Sequence, residues 1–144
     1  MIFNSHSPKE TQKIAADLAH KIIKTKKGAV VALEGELGAG KTTFIQGFAK
    51  ALGIKSKIKS PTFVLMKKYK VPGGTSNLYH LDCYRIGDHK DLKILELKEI
   101  FSESHDIILI EWAERAKEIL PKKHVTIHID HIDKKTRKLL ITND

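Results

Sequence analysis

Residues 35–42 form the segment of this chain whose residue types and spacing point most directly to chemistry. They read Gly-Glu-Leu-Gly-Ala-Gly-Lys-Thr and match the pattern G-x-x-x-x-G-K-[ST]. Glycines at this spacing let successive backbone N–H groups point into one concavity of the size of a phosphate. Lys41 adds an ammonium group for the outer phosphates, and the Thr42 hydroxyl can ligate Mg²⁺. This segment, called the phosphate loop below, therefore predicts binding of ATP with Mg²⁺.

A phosphate loop needs a carboxylate near the metal, and two acidic residues end strand-like runs elsewhere in the chain. Glu111 follows the apolar run 107–110, and Asp82 ends the run 77–82. Mg²⁺ usually takes only one or two protein carboxylates. We assign the metal to Glu111 together with Thr42, and we give Asp82 a supporting role near the metal or in positioning the attacking water. Which carboxylate is the main ligand stays open.

The elements beside the phosphate loop have the properties needed to position it. Residues 29–33, Ala-Val-Val-Ala-Leu, form a short apolar run that predicts a strand buried on both faces. A helix is predicted from Thr42 until Gly53 ends it. An earlier helix begins at Pro8 and runs to about residue 24. A buried strand before the loop and a helix after it are the context that the motif requires.

The remaining chain predicts further strands and helices. Two strand-like runs, 63–71 and 77–84, flank a Pro-Gly-Gly turn and predict an antiparallel hairpin. The other predicted strands are 107–110, 125–129 and 139–141, and the other predicted helices are 92–101 and 113–120. The pattern predicts an α/β, P-loop NTPase-like, three-layer fold with a mixed central sheet that includes antiparallel strands. We expect residues 1–144 to form a single P-loop ATPase domain.

Composition narrows the protein class without identifying a partner. With 144 residues, 41% of them hydrophobic, the chain can build an ordinary core. The net charge of +9 suits nucleic acid, an anionic membrane or an acidic protein, but also a lysine-rich surface in water, and the lysines are not clustered. No apolar run is long enough to span a membrane, and the N-terminus does not resemble a signal peptide. With its single cysteine, Cys83, the chain is expected to be cytoplasmic.

Four blocks of sequence together resemble one family, the bacterial TsaE (YjeE) proteins. Besides residues 35–44, they are Ser-Pro-Thr-Phe at 60–63, His-Leu-Asp-Cys-Tyr-Arg at 80–85 and Ile-Glu-Trp at 110–112, in the order and spacing of that family. The resemblance implies a P-loop ATPase that joins two partner subunits, TsaB and TsaD, in making the threonylcarbamoyl modification of adenosine 37 in tRNA. The sequence leaves open whether the protein touches tRNA itself or acts on it only indirectly.

The resemblance also implies roles for individual residues. Asp82 would be required for hydrolysis, and Thr42 and Glu111 would hold Mg²⁺. Thr11 would lie near the nucleotide base, and Arg137 would supply a basic contact late in the chain. The ATP phosphates would be bound by Gly38, Ala39, Gly40, Lys41, Thr42 and Thr43. A switch-like loop beside the phosphates would be formed by Ser60, Pro61 and Thr62. With Lys41, Asp82 and Glu111 as the catalytic set, these are the predicted site residues.

Two other functions compete with the ATPase interpretation. A small-molecule or nucleoside kinase usually carries a lid rich in arginines, whereas this chain has only Arg85, Arg115 and Arg137. A nucleotide-dependent binding module would bind ATP without needing Glu111 or Asp82. Arg85 is the candidate for an arginine finger, but it is not a compelling one. We therefore expect hydrolysis to be slow alone and stimulated by a partner.

Overall fold

Seven strands and two long α-helices make up most of the part of the chain that the computed structural model describes, residues 1–36, 38–58, 66–74, 76–83, 98–101, 105–115 and 117–143. The helices are α1 (Pro8–Thr25) and α2 (Lys41–Ala51). The strands are β1 (Ile2–Ser5), β2 (Ala29–Glu34), β3 (Met66–Lys70), β4 (Asn77–Asp82), β5 (Ile107–Glu111), β6 (Val125–His131) and β7 (Arg137–Asn143). None of the described helices is both long enough and apolar enough to cross a membrane.

All seven strands form one mixed sheet in the order β1-β7-β6-β2-β5-β4-β3. The four middle strands, β6, β2, β5 and β4, run parallel, whereas β7, β1 and β3 pair antiparallel. The carboxyl ends of parallel strands meet at one edge, and open α/β sheets bind ligands there. The phosphate loop follows β2 at this edge, and Asp82 and Glu111 end the neighbouring strands β4 and β5. The predicted α/β class and mixed sheet are confirmed.

Hydrophobic clusters cover both faces of the sheet, because alternate residues of each strand point to opposite faces. On one face, Val31 and Leu33 of β2 pack in a cluster that includes Phe44 and Phe48 of α2. On the other face, Val30 and Ala32 pack with residues of β4 and β5 and with Ala113. β2 is therefore buried on both faces, as its apolar run predicts, and the start of the phosphate loop is rigidly supported.

The two long helices pack closely against each other. The buried line of α1 consists mainly of small residues, namely Thr11, Ala15 and Ala19, followed by Ile22. A Cβ atom added to Gly47 of α2 would lie 2.6 Å from the Cα atom of Gln12, so only glycine permits this approach. The two helices therefore approach each other closely near Gln12 and Gly47, and Thr11 of α1 borders the same cavity as Thr43 of α2.

The chain after β5 differs from its prediction. Residues 113–120 were expected to form an α-helix, but the described residues form two short 3₁₀ turns, Ala113–Arg115 and Lys117–Ile119. Trp112, which precedes this segment, has a left-handed backbone conformation (φ 57°), and the Arg115 N–H donates to its carbonyl oxygen (3.0 Å), the three-residue spacing of a 3₁₀ turn. The chain therefore turns sharply at Trp112 and keeps Glu114 near the phosphate loop.

Other predicted elements are confirmed where the structure describes them. β3 and β4 form the antiparallel hairpin, and α1 begins at Pro8 with Ser7 as its N-cap. Of the predicted helix 92–101, only residues 98–101 lie within the described ranges, and they are helical. The edge strand β1 was not predicted, because four residues are too few to show a clear alternation.

Candidate active site

The phosphate loop connects the buried end of β2 to the first turn of α2. Gly40 is the N-cap of α2 and has a φ of 107°, which favours glycine. Gly35 lies so close to β6 that an added Cβ atom would approach the carbonyl oxygen of Ile129 to 2.5 Å. The loop therefore leads from the carboxyl edge of the sheet directly into the positive end of α2. Leu37 lies outside the described residues.

Lys41, in the first turn of α2, is buried although its side chain is charged, with 5% of its surface exposed. Its Nζ atom donates a hydrogen bond to the carbonyl oxygen of Gly35 (2.6 Å) and lies 3.4 Å from the centre of the Trp112 ring. Burial lowers the pKa of Lys41, while the nearby carboxylates Glu114, Glu111 and Asp82 act in the opposite direction. The ammonium is thus held within a cluster of acidic groups at the mouth of the loop.

The two predicted catalytic carboxylates lie side by side. Asp82 and Glu111 are paired Cα positions on the parallel strands β4 and β5. Glu111 is 4% exposed, and its Oε2 atom lies 2.7 Å from Nε2 of the buried His80. Both carboxylates raise the pKa of Lys41, which places them in electrostatic reach of its ammonium. The structure therefore brings Lys41, Asp82 and Glu111, the predicted catalytic set, to the same edge of the sheet.

Glu114 is a third acidic residue at this edge that the sequence analysis missed. Burial raises its pKa, although Lys41 and a backbone hydrogen bond at Gly35 partly oppose the effect. Glu34, at the end of β2, also raises the pKa of Glu114 and contacts Nδ1 of His128 at 3.4 Å. Glu114 follows Glu111 by only three residues, but the predicted helix over 113–120 gave no reason to place its side chain at this edge.

A cavity of about 420 Å³ adjoins the phosphate loop on the side of α1. Gly40 and Thr43 line it from the loop and from α2, and Thr11 lines it from α1. Arg137, at the start of β7, also lines the cavity, and its Nε atom would lie 3.9 Å from a Cβ atom added to Gly40. The rest of the lining is His6, Ser7, Pro8, Lys134 and Lys135. Thr11 and Arg137, predicted only from the resemblance, therefore share one cavity with the loop.

Both of those residues are held firmly in place. The buried Thr11 hydroxyl shares a hydrogen bond of 2.7 Å with the Ser5 hydroxyl on β1. Arg137 donates from Nη1 to the carbonyl oxygens of Asp133 (2.9 Å) and Thr136 (3.2 Å). These contacts fix the positions of Thr11 and Arg137, which line the same cavity. A cavity with such walls has room and polar groups for a nucleoside.

Some predicted residues cannot be placed at the site. Ser60, Pro61 and Thr62, the predicted switch loop, and Arg85, the arginine-finger candidate, lie outside the described residues. Arg115 is described, and its guanidinium carbon lies 5.6 Å from the centre of the Trp112 ring. Cys83 follows Asp82 directly, but burial raises the pKa of its thiol to about 12, so it is not a reactive nucleophile.

The oxygen atoms at this edge suit Mg²⁺. The metal prefers oxygen ligands and keeps several waters, using one or two carboxylates together with phosphate oxygens. Thr42, in the first turn of α2, and the adjacent Asp82 and Glu111 offer such ligands. Among the residues that the structure describes, no three His, Cys, Asp or Glu side chains are grouped as a metal site. A metal that arrives with a triphosphate does not need such a group.

Comparison with known proteins gives a consistent result across most of the chain. The model of the family described as "Threonylcarbamoyl adenosine biosynthesis protein TsaE" matches residues 5–139. The protein of that name from Bacillus subtilis is 40% identical over 136 residues, which cover 94% of this chain and 81% of the relative. The one from Aquifex aeolicus is 36% identical over 137 residues, covering 94% and 90%. The Haemophilus influenzae protein is 38% identical over 109 residues, covering 76% and 67%.

A solved structure is similar over nearly the whole fold. The crystal structure of YdiB from Bacillus subtilis matches with a TM-score of 0.76 and 33% sequence identity. The match covers 99% of this chain and 84% of the other. The architecture described above is therefore that of a solved relative.

Proposed function

The chain belongs to the TsaE family, and from that premise we propose that it binds ATP with Mg²⁺ and hydrolyses it during tRNA threonylcarbamoyladenosine biosynthesis. One observation carries the chemical part of the proposal. A buried lysine at the N-terminus of α2 lies in the electrostatic field of Asp82, Glu111 and Glu114, beside a glycine-rich loop. Such a combination of a backbone anion site, a cation and oxygen ligands fits a metal-bound triphosphate.

Each residue has a distinct task in this proposal. Backbone N–H groups of the phosphate loop bind the phosphates, and Lys41 supplies positive charge at the outer phosphates. Thr42 and Glu111 hold Mg²⁺, which supplies further positive charge where the negative charge spreads during the reaction. Asp82, adjacent to Glu111, positions the attacking water. Thr11 and Arg137 border the cavity that receives the nucleoside.

The proposal extends to partners and to the rate of hydrolysis. TsaB and TsaD are the proposed partner subunits, and contact with them is proposed to stimulate an otherwise slow reaction. An arginine supplied from outside a nucleotide site typically raises the rate by about 10³–10⁵-fold. In this proposal, the action of the protein on its partners depends on whether ATP or ADP is bound.

The test is steady-state ATP hydrolysis, measured with and without the TsaB–TsaD pair. We expect slow, Mg²⁺-dependent turnover alone, stimulation by the pair, and loss of both in Lys41→Ala. Lys50→Ala is the matched control, because Lys50 is an exposed lysine at the other end of α2. Fast turnover that the partners do not change would contradict the proposal. ADP formation that requires an added small-molecule acceptor would show a kinase instead.

A further inference from the structure

A buried imidazole lies directly beside the carboxylate that we assign to the metal. His80 of β4 is 1% exposed, and its Nε2 atom lies 2.7 Å from Oε2 of Glu111 on β5. His80 is paired in register with Leu109, two residues before Glu111, so its ring reaches along the sheet toward the site edge.

The polarity of the contact follows from its chemistry. A carboxylate oxygen can only accept, so the hydrogen lies on Nε2 of His80 and is donated to Glu111. The other ring nitrogen, Nδ1, is buried and has no hydrogen-bond partner among the described residues. Among the residues that the structure describes, the short hydrogen bond to Glu111 is therefore the only polar contact of this buried imidazole ring.

Packing alone does not explain a histidine at this position. Leu78 and Leu81 on the same strand are each 1% exposed, so an apolar side chain would suit the surroundings of residue 80. Burying a polar ring with one nitrogen unpartnered costs free energy. The hydrogen bond to Glu111 is the contact that offsets this cost. A functional reason for the His80 ring is therefore to be found in its effect on the Glu111 carboxylate.

We propose that His80 is a positioning residue, which fixes the orientation of the Glu111 carboxylate for Mg²⁺. Holding Oε2 from behind sets the plane of the carboxylate and the direction of its second oxygen. This inference rests on the proposed role of Glu111 as a metal ligand. Loss of such outer partners typically lowers metal affinity by about 10–100-fold, so the effect is large enough to measure.

The experiment measures the Mg²⁺ requirement of ATP binding, with the fluorescence of Trp112, the only tryptophan, as the signal. His80→Leu keeps an apolar core and removes the donor. We expect it to raise the Mg²⁺ concentration for half-maximal binding by about 10–100-fold. Nucleotide affinity in EDTA should change by less than about twofold, because no metal is then involved. His80→Gln, which retains an N–H donor at the reach of Nε2, should recover most of the loss.

Two further variants separate positioning from a general effect on folding. If His80→Leu proves unstable in urea titration, His80→Asn replaces it, because the shorter amide is equally polar but cannot reach Glu111. In a Glu111→Gln background, changing His80 should add less than about twofold, since its effect passes through Glu111. A wild-type Mg²⁺ requirement in the leucine or asparagine variant, or an undiminished loss in the double variant, would overturn the inference. Absence of Mg²⁺-dependent ATP binding in the unmutated protein would instead overturn the proposed function.

Discussion

Charged residues are buried at one edge of the parallel strands and exposed at the other. At the carboxyl edge, Lys41 and Glu111 are buried and contact other functional groups directly. At the amino edge, a cavity of about 610 Å³ is bordered by exposed lysines and by histidines, namely Lys26, Lys27, Lys123, His105 and His124. The lysines at the amino edge thus contribute to the net positive charge as solvent-exposed side chains. Buried charged residues mark the site better than the number of charges does.

Both edges also contain a glycine that a larger residue cannot replace without a clash, so close packing alone does not distinguish them. Gly28, at the amino edge, would place a Cβ atom 2.4 Å from the carbonyl oxygen of Asp106. Gly35, at the carboxyl edge, would place one 2.5 Å from the carbonyl oxygen of Ile129. The comparison therefore predicts similar effects on stability at the two positions and different effects on function.

The largest expected effect is on hydrolysis. Glu111→Gln keeps the size of the side chain but removes the charge assigned to the metal. We expect kcat for ATP hydrolysis to fall by about 10²–10³-fold, the range typical of losing one group that stabilises the transition state. Glu118→Gln, at an exposed glutamate seven residues later, serves as the control and should retain kcat within about twofold. Equal kcat values in the two variants would contradict a catalytic role for the carboxylate at the carboxyl edge.

The paired glycines give the next test. Gly28→Ala and Gly35→Ala should each lower the free energy of unfolding by about 1–3 kcal/mol, because each added methyl group meets a backbone oxygen. Urea unfolding measures this loss. Only Gly35→Ala should also weaken ATP binding, because only Gly35 belongs to the phosphate loop. Comparable loss of ATP affinity in Gly28→Ala would mean that binding follows general stability instead.

The smallest expected effect concerns Glu114 and pH. Since burial raises its pKa above the ordinary value of 4.5, the folded protein holds the proton more tightly than the unfolded chain does. The corresponding stability is present below pH 4.5 and is lost as the pH rises through the folded-state pKa. We therefore expect the melting temperature of Glu114→Gln to increase relative to that of the unmutated protein as the pH rises from 4 to 7. A difference in melting temperature that does not change with pH would show that folding does not raise the pKa of Glu114.

The phosphate loop and its two carboxylates could be predicted because their signals are local. The residues 35–42 are contiguous, and a polar residue at the end of an apolar run marks the end of a strand. Thr11 and Arg137 were predicted only from the resemblance, since their meeting depends on long-range pairing. β1 pairs with β7, and the Ser5–Thr11 hydrogen bond joins β1 to α1. No pattern within either segment contains that information.

The wrong prediction, a helix over 113–120, has a specific physical cause. Side chains in this segment are compatible with an α-helix, but the chain turns at the left-handed Trp112 and continues with a 3₁₀ hydrogen bond from the Arg115 N–H to the Trp112 carbonyl oxygen. The Trp112 ring lies against the Lys41 ammonium, so a contact between distant residues accompanies the unusual backbone. Propensity within the segment could not show this contact, and the same error concealed Glu114.

Equilibrium binding of ATP with Mg²⁺ tests the central claim most directly, measured for the unmutated protein, Lys41→Ala and Lys27→Ala. Lys41 lies at the phosphate loop, whereas Lys27 is an exposed lysine at the amino edge. A hydrogen bond to a charged group contributes about 1.5–3 kcal/mol, so Lys41→Ala should weaken binding by about 10–150-fold. Lys27→Ala should bind ATP as the unmutated protein does. Full affinity in Lys41→Ala, or an equal loss in both variants, would contradict the account.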